Sequence, residues 1–302
     1  MPAIPSPARR AILSAQAIAL GGALAIGAVA SAAAAAAAAP VAQDAACTAL
    51  TVAMPEMAAA TPEAEQDLVG TAASEEVTAA ATAAAENAVA CFNSGDLGAF
   101  LSTVTPNFLQ TSFGVADAKA AEAALPELNI GAISEVELSN AYTYENGQVS
   151  IDAHYNWGDH QHVDGRWYMV EVDGQWLIDH EHLLPPDAEG DKAFVSYSVA
   201  DDASPVGLDQ RSEISTIPVL VLHGINNGES HRFFTVHALP AMEGTPMPGE
   251  MPEGGKAIGF VAIAPGEQED LALVGLEPGL YAISDSAVEG SVALLTITEP
   301  AS

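Results

Sequence analysis

Positive charge is the first scarcity: eight lysines and arginines stand against forty aspartates and glutamates, for a formal charge of −32. All forty acidic residues but only six of the basic ones lie beyond residue 42, so the remainder of the chain is more acidic still. A surface of that sign repels phosphate backbones and anionic bilayers. It excludes nucleic acid as an expected partner, and a membrane surface for the mature form. Cysteine is scarcer, with only Cys47 and Cys91, so no two-by-two cysteine zinc pattern can form. Tryptophan numbers three, and all three fall in residues 149–183 together with five of the eight histidines.

A long apolar run occurs at one end. Arg9 and Arg10 precede the uncharged residues 11–30 and an alanine tract at 32–39. That is the layout of a secretory signal peptide, expected over 1–42. The run is also long enough to anchor the chain in a membrane if the leader is not cleaved. Export to the cell envelope or the outside is the expected localisation, and an oxidising space there favours a Cys47–Cys91 disulfide over a buried free thiol.

Residues 43–73 are rich in Ala, Thr, Pro, Glu and Gln and read as a flexible linker. Ser74 then offers an N-cap, with Glu75 and Glu76 in the first turn. Val77, Ala81, Ala84, Ala88 and Phe92 recur at helical spacing up to Gly95. Asp96 caps a second, short helix that Pro106 is expected to stop or kink, and a softer helical patch follows at 115–125. The period then changes to two, with strands expected at 133–145, 148–157, 162–172 and 175–183. Asn146-Gly147 and Asp173-Gly174 are expected as two-residue hairpin turns. Helices followed by an antiparallel meander make an α+β domain over 74–185.

Cys91-Phe92-Asn93-Ser94-Gly95-Asp96-Leu97-Gly98-Ala99-Phe100-Leu101, Thr105-Pro106-Asn107-Phe108 and Asp173-Gly174-Gln175-Trp176-Leu177-Ile178 together resemble the nuclear transport factor 2-like (SnoaL-like) superfamily. The resemblance implies an α+β cone: a curved antiparallel sheet closed by helices around a small pocket. Its members include enzymes and non-catalytic binding domains, so fold alone does not choose between them.

Pro185 and Pro186 open a polar joint, placed at 186–192. Short apolar runs separated by turn residues then predict an antiparallel β-sandwich over 193–302. Asn226-Asn227-Gly228-Glu229-Ser230-His231-Arg232-Phe233, Ala264-Pro265-Gly266, Leu276-Glu277-Pro278-Gly279-Leu280-Tyr281 and Gly290-Ser291-Val292 resemble a cupredoxin. That resemblance implies a copper site of two His, one Cys and a weak Met. His231 stands at the first histidine. Asp285 stands where the cysteine would be, and residues 286–290 contain neither His nor Met. No cofactor is therefore expected. The residues that remain for copper or zinc are His180, His182 and His231, with Met242, Met247 and Met251 as thioether donors or as apolar filler.

Within 149–183, His160-Gln161-His162 and His180-Glu181-His182 each place two imidazoles on one face of a strand. A two-residue turn at Asp173-Gly174 puts His180 opposite Trp167 and His182 opposite Gly165. A four-residue loop at 158–161 pairs Trp157 with His162 and puts His154 opposite Gly165. His154, His180 and His182 then share one face, while His162 takes the other with Tyr155, Trp157, Arg166, Tyr168, Asp179 and Glu181. The trio suits a metal, a general base or a solvated sheet end. His154 or His180, oriented by Asp152 or Asp179, is the candidate base of an isomerase, dehydratase or cyclase. Tyr155, Trp157, Trp167 and Tyr168 are the candidate ligand-binding residues. The leading expectation is non-catalytic binding of a small apolar or mixed ligand, or of another envelope protein, with a dimer also compatible. A metal-handling protein is the third reading.

Overall fold

Ser74 starts the first helix as its position predicts: its backbone is extended and its Oγ accepts from the Val77 N–H at 3.3 Å. The computed structural model describes residues 46–51, 69–115, 117–126, 131–200, 218–241, 254–285 and 291–299, with the backbone alone at 39–40, 127–128, 203–206 and 211–215. The expected leader, apart from that backbone at 39–40, lies outside these residues, as do 52–68 of the expected linker, Met242, Met247, Met251 and the loop 286–290. Helix α1 (Glu75–Ser94) ends at Gly95, whose left-handed φ of 73° a side chain would disfavour. Asp96 caps α2 (Leu97–Leu101) through Oδ1 on the Ala99 N–H.

Pro106 does not stop a helix but begins one. Thr105 accepts from the Phe108 N–H, and Pro106 occupies the first turn of α3 (Pro106–Phe113). A missing N–H costs nothing there, because first-turn donors have no intrahelical partner. Helix α4 (Ala118–Leu128) follows. Residues 46–51, inside the stretch expected as a linker, lie along these helices. The Cys47–Cys91 disulfide holds them, Thr48 exchanges two hydrogen bonds with the Asn87 amide, and the Leu50 N–H bonds Ser102 Oγ.

Short strands β1 (Ala39–Pro40) and β2 (Thr71–Ala72) pair along β3 (Ile133–Thr143), which is followed by β4 (Val149–Trp157), β5 (Gln161–Val172) and β6 (Gln175–Leu183). Two register shifts in β3 coincide with the left-handed residues Glu135 and Asn140, and bulges of this kind bend a strand. Asp173 and Gly174 both have positive φ, 52° and 80°, as a two-residue hairpin requires. The other expected hairpin is longer. Tyr144 pairs with Gln148, so three residues, 145–147, make the turn, and Gly147 alone takes a positive φ.

The second half runs through β7 (Lys192–Ala200), β8 (Ala203–Val206), β9 (Arg211–Ser215), β10 (Val219–Asn226), β11 (Arg232–Ala238), β12 (Lys256–Ile263), β13 (Gln268–Val274), β14 (Gly279–Asp285) and β15 (Val292–Thr298). One sheet is ordered β12-β11-β14-β15-β9, and β13-β10-β7-β8 faces it across a core of Leu222, Phe234, Val236, Leu271, Ile283 and Leu295. The sandwich is not wholly antiparallel: β7 runs parallel to β10, and β9 to β15. Neither pair is joined by a hairpin, and strands that are not hairpin neighbours are free to run the same way.

Helices and sandwich meet along β5. β6 covers the edge of β5 from Gly165 to Val172, and β13 covers Gln161 and His162 on the same sheet, so the first sheet runs on into the second half. The Gln161 amide completes the joint by donating to the Phe260 carbonyl and accepting its N–H, both at 3.0 Å. Phe260 also belongs to the core under the helices, against Trp157 and Phe113. The described residues fall in one compact unit. Among the described residues no helix is long and apolar enough to cross a membrane.

Candidate functional site

The faces of β4 to β6 depend on two registers, and both differ by one residue from the sequence expectation. The loop after β4 has three residues rather than four, so Trp157 pairs with Gln161 and His154 with Asp164. On the other side a bulge at Asp179 moves His180 opposite Tyr168, and His182 opposite Arg166. A one-residue slip carries every later side chain to the opposite face. His154, His180 and His182 do share a face, as expected. His162 joins them, as do Asp152, Asp164, Arg166 and Tyr168, which moves His162, Arg166 and Tyr168 away from Tyr155 and Trp157. Trp167 crosses the other way, to the helix-facing side with Tyr155, Trp157 and Glu181.

The four imidazoles do not converge on one point. His154 and His162 both bond Asp164, His154 through Nδ1 and His162 through Nε2 at 3.2 Å. The Asp187 N–H adds a third donor at 2.6 Å. The Asp164 side chain is only 2% exposed. Burial opposes its charge, but hydrogen bonds from His162, the Asp187 amide and His154 prevail and hold the carboxyl down to about 2. Asp152 is the partner of Arg166, at 2.7 Å. His180 lies flat on Tyr168, with ring centroids 4.3 Å apart, and its Nδ1 is 3.3 Å from Asp179. Asp179 accepts from Thr105 Oγ1 at 2.7 Å and from the Asn107 amide at 3.1 Å. Burial works against its charge, and these bonds, that from His180 foremost, lower its pKa. The bulge is what aims Asp179 at the N-terminus of α3.

A cavity of about 830 Å³ opens where β6 ends and β13 begins. Tyr144, Tyr155, Trp157, Tyr168, Arg166, His180, Glu181 and His182 border it from the first half, and His231, Phe260, Glu267 and Glu269 from the second. Of the aromatic residues expected to bind a ligand, Tyr155, Trp157 and Tyr168 line it, while Trp167 donates to Glu181 from behind at 2.8 Å. Tyr155 OH donates to the same Glu181 oxygen at 3.0 Å. Gly165 leaves room for this carboxylate rather than for a histidine, since a Cβ there would run into it. Burial raises the pKa of Glu181 against those two bonds. Glu269 is pushed up to about 8, by burial and then by Glu267, Glu181 and Asp270. Burial also lowers His182 and His231, with Glu267 pulling each the other way.

His154 and Asp152 do not line the cavity. Glu181 stands in sequence on the face with Tyr155 and Trp157, but Glu267 and Glu269 have no signal there, because each reads as an ordinary acidic strand or turn position. Only the pairing of β13 with β5, a contact between segments about a hundred residues apart, brings them to one place.

No protein-family model matches the chain, and no curated protein matches it. Among solved structures it is similar to a reduced auracyanin from the photosynthetic bacterium Roseiflexus castenholzii, at 12% identity and TM-score 0.27, over 35% of this chain and 96% of that one. It is also similar to auracyanin A, a blue copper protein of Chloroflexus aurantiacus, at 9% identity and TM-score 0.27, over 36% and 100% of the two chains. A purple cupredoxin from Nitrosopumilus maritimus gives 14% identity and TM-score 0.23, over 34% and 99%. Likenesses at these TM-scores do not assign a copper site to this chain.

The residues present do not fit a blue-copper centre. Both cysteines are in the Cys47–Cys91 disulfide, which leaves no thiolate. Asp285, at the position of the expected cysteine, is buried in an ion pair with Arg232, whose Nε donates to Oδ2 at 2.6 Å; the two side chains are 0% and 1% exposed. Among the described residues no three His, Cys, Asp or Glu side chains are grouped to hold a metal ion.

Proposed function

We propose that the protein is an exported, non-catalytic binder of a small, partly apolar molecule held in the cavity at the seam. The observation that carries this reading is the cavity itself: about 830 Å³, ringed by aromatic side chains and supplied with a few polar groups from both halves. Ligand sites of roughly 300–1,000 Å³ have that make-up. On this reading residues 74–185 are a nuclear transport factor 2-like domain whose pocket is completed by a cupredoxin-like partner domain. Export through the leader is supported by the disulfide, since such bonds form and persist in oxidising compartments. The test is titration with a neutral, polarity-sensitive naphthalene dye. The native protein binds it saturably, one to one, and Ala262→Phe, which fills the cavity from β12, weakens binding about tenfold or more. Absence of saturable binding, or equal affinity in the variant, refutes the reading.

One observation favours a second, catalytic reading. His180 borders the cavity with the Asp179 carboxylate behind it, itself fixed by Thr105 and Asn107. A base oriented by a carboxylate is the arrangement for removing a proton next to a carbonyl. Deuterium uptake from D₂O into small cyclic ketones, followed by proton NMR, tests it. Uptake that disappears in His180→Gln supports catalysis; uptake equal in both proteins, or none in either, removes it.

A further inference from the structure

We propose that the ligand of the seam cavity is an organic cation, with an aromatic or branched apolar body and one ammonium-type charge seated by Glu181, Glu267 and Glu269. The inference rests on the binding reading above and gives its ligand a charge and a shape. The first support is the balance of charge around the cavity. Arg166, the guanidinium that borders it, is already neutralised by Asp152 at 2.7 Å. The remaining groups of the wall are three carboxyls and the imidazoles His180, His182 and His231. For His182 and His231, burial favours the neutral ring. His180 has its own acidic partner in Asp179, at 3.3 Å. Among the described residues of the wall Arg166 is thus the only lysine or arginine, against three carboxyls brought from β6, β13 and the turn before β13.

The second support is the chemistry of the walls. Tyr142, Tyr144, Tyr155, Trp157, Tyr168 and Phe260 border the same space. Aromatic faces beside carboxylates recognise alkylammonium groups, because the ring quadrupole and the full charges attract the cation together. A bare metal ion fits less well, since about 830 Å³ is far more room than an ion fills and no three-ligand group is present among the described residues. An anion would meet the three carboxyls.

The third support is the state of Glu269 without a ligand. Burial, Glu267, Glu181 and Asp270 all favour its protonated form. The field that holds a proton there holds a cation in its place. Binding therefore expels up to one proton, and affinity for the cation rises with pH as Glu269 ionises. Protonation of His182 and His231 at lower pH acts in the same direction, so the pH slope alone does not identify Glu269; its removal does.

The experiment is calorimetric titration of the full chain with phenyltrimethylammonium, its neutral isostere tert-butylbenzene, and benzenesulfonate. The cation is expected to bind about tenfold or more tightly than the isostere, and the sulfonate not at all. Glu269→Gln, close in size to the native residue, is expected to weaken the cation about fivefold or more, to leave the isostere within about twofold, and to abolish proton release between pH 7 and 8. Glu267→Gln serves as a second variant, with thermal unfolding to verify that each folds. Equal binding of cation and isostere overturns the charge assignment and leaves the binding reading standing. Preference for the sulfonate, or cation binding that neither variant changes, also overturns it. Binding of none of the three overturns the assignment, and the dye titration decides the binding reading separately.

Discussion

Two carboxylates of the strands that meet at the seam, Asp164 on β5 and Glu269 on β13, meet opposite treatment. On one side of β5, Asp164 sits 2% exposed with three donors on its two oxygens, and is held ionised down to about 2. On the seam, Glu269 has carboxylates for neighbours and is pushed up to about 8. Burial acts on both in the same sense. What separates them is the company each keeps: two imidazoles and an amide around Asp164, Glu267, Glu181 and Asp270 around Glu269. A carboxylate whose acceptors are satisfied fastens the fold, and one crowded by its own kind has chemistry left to offer.

The comparison is broken most forcefully at Asp164. Its folded value lies below the ordinary 3.8, so its contribution is fully present above about pH 4 and is lost as pH falls through 4 towards 2. The shift corresponds to about 2 kcal/mol at neutral pH. Asp164→Asn is therefore expected to lower the unfolding free energy by about 2 kcal/mol at pH 7 and by almost nothing at pH 2. Urea unfolding at the two pH values checks this, and an equal loss at both would mean that Asp164 contributes shape rather than charge. The joint is expected to loosen with it, because Asp164 also holds the Asp187 amide at the start of the connection to β7.

How much of this was legible before the structure depends on distance along the chain. Capping by Ser74, Asp96 and Gly95, the Asp173-Gly174 hairpin and the Cys47–Cys91 disulfide all appear as read, the first three because near neighbours decide them. Helix α3 is hidden in the sequence because Pro106 reads as a breaker, whereas a threonine before it makes it a first-turn residue. The histidine face came out right for the wrong reason: the loop after β4 is one residue shorter, and Asp179 is bulged. Neither change has a local marker, since the Asp179 bulge answers to Thr105 and Asn107, more than seventy residues earlier. Glu181 is legible on its strand face, but Glu267 and Glu269 are out of reach, because they depend on β13 choosing β5 as a neighbour.

The smaller and more discriminating effect lies at Glu269, where the sign reverses. A carboxyl raised above its unfolded value of 4.5 favours the folded state below that pH. It withdraws that support as pH climbs towards about 8, where the folded protein must ionise a crowded group that the unfolded chain ionises freely. Glu269→Gln removes the penalty. It is expected to leave stability unchanged at pH 4 and to raise it by about 1–2 kcal/mol at pH 8, a figure reduced from the full shift because Glu269 is partly open to solvent. The two single substitutions thus tilt the pH–stability curve in opposite directions, Asp164→Asn flattening its acid limb and Glu269→Gln its alkaline limb. If Glu269→Gln destabilises at pH 8, the seam carboxylates are bound into the fold as Asp164 is, and the contrast between them fails. If it stabilises while weakening the cation, the chain keeps a carboxylate that costs stability, as expected where a group is retained for binding.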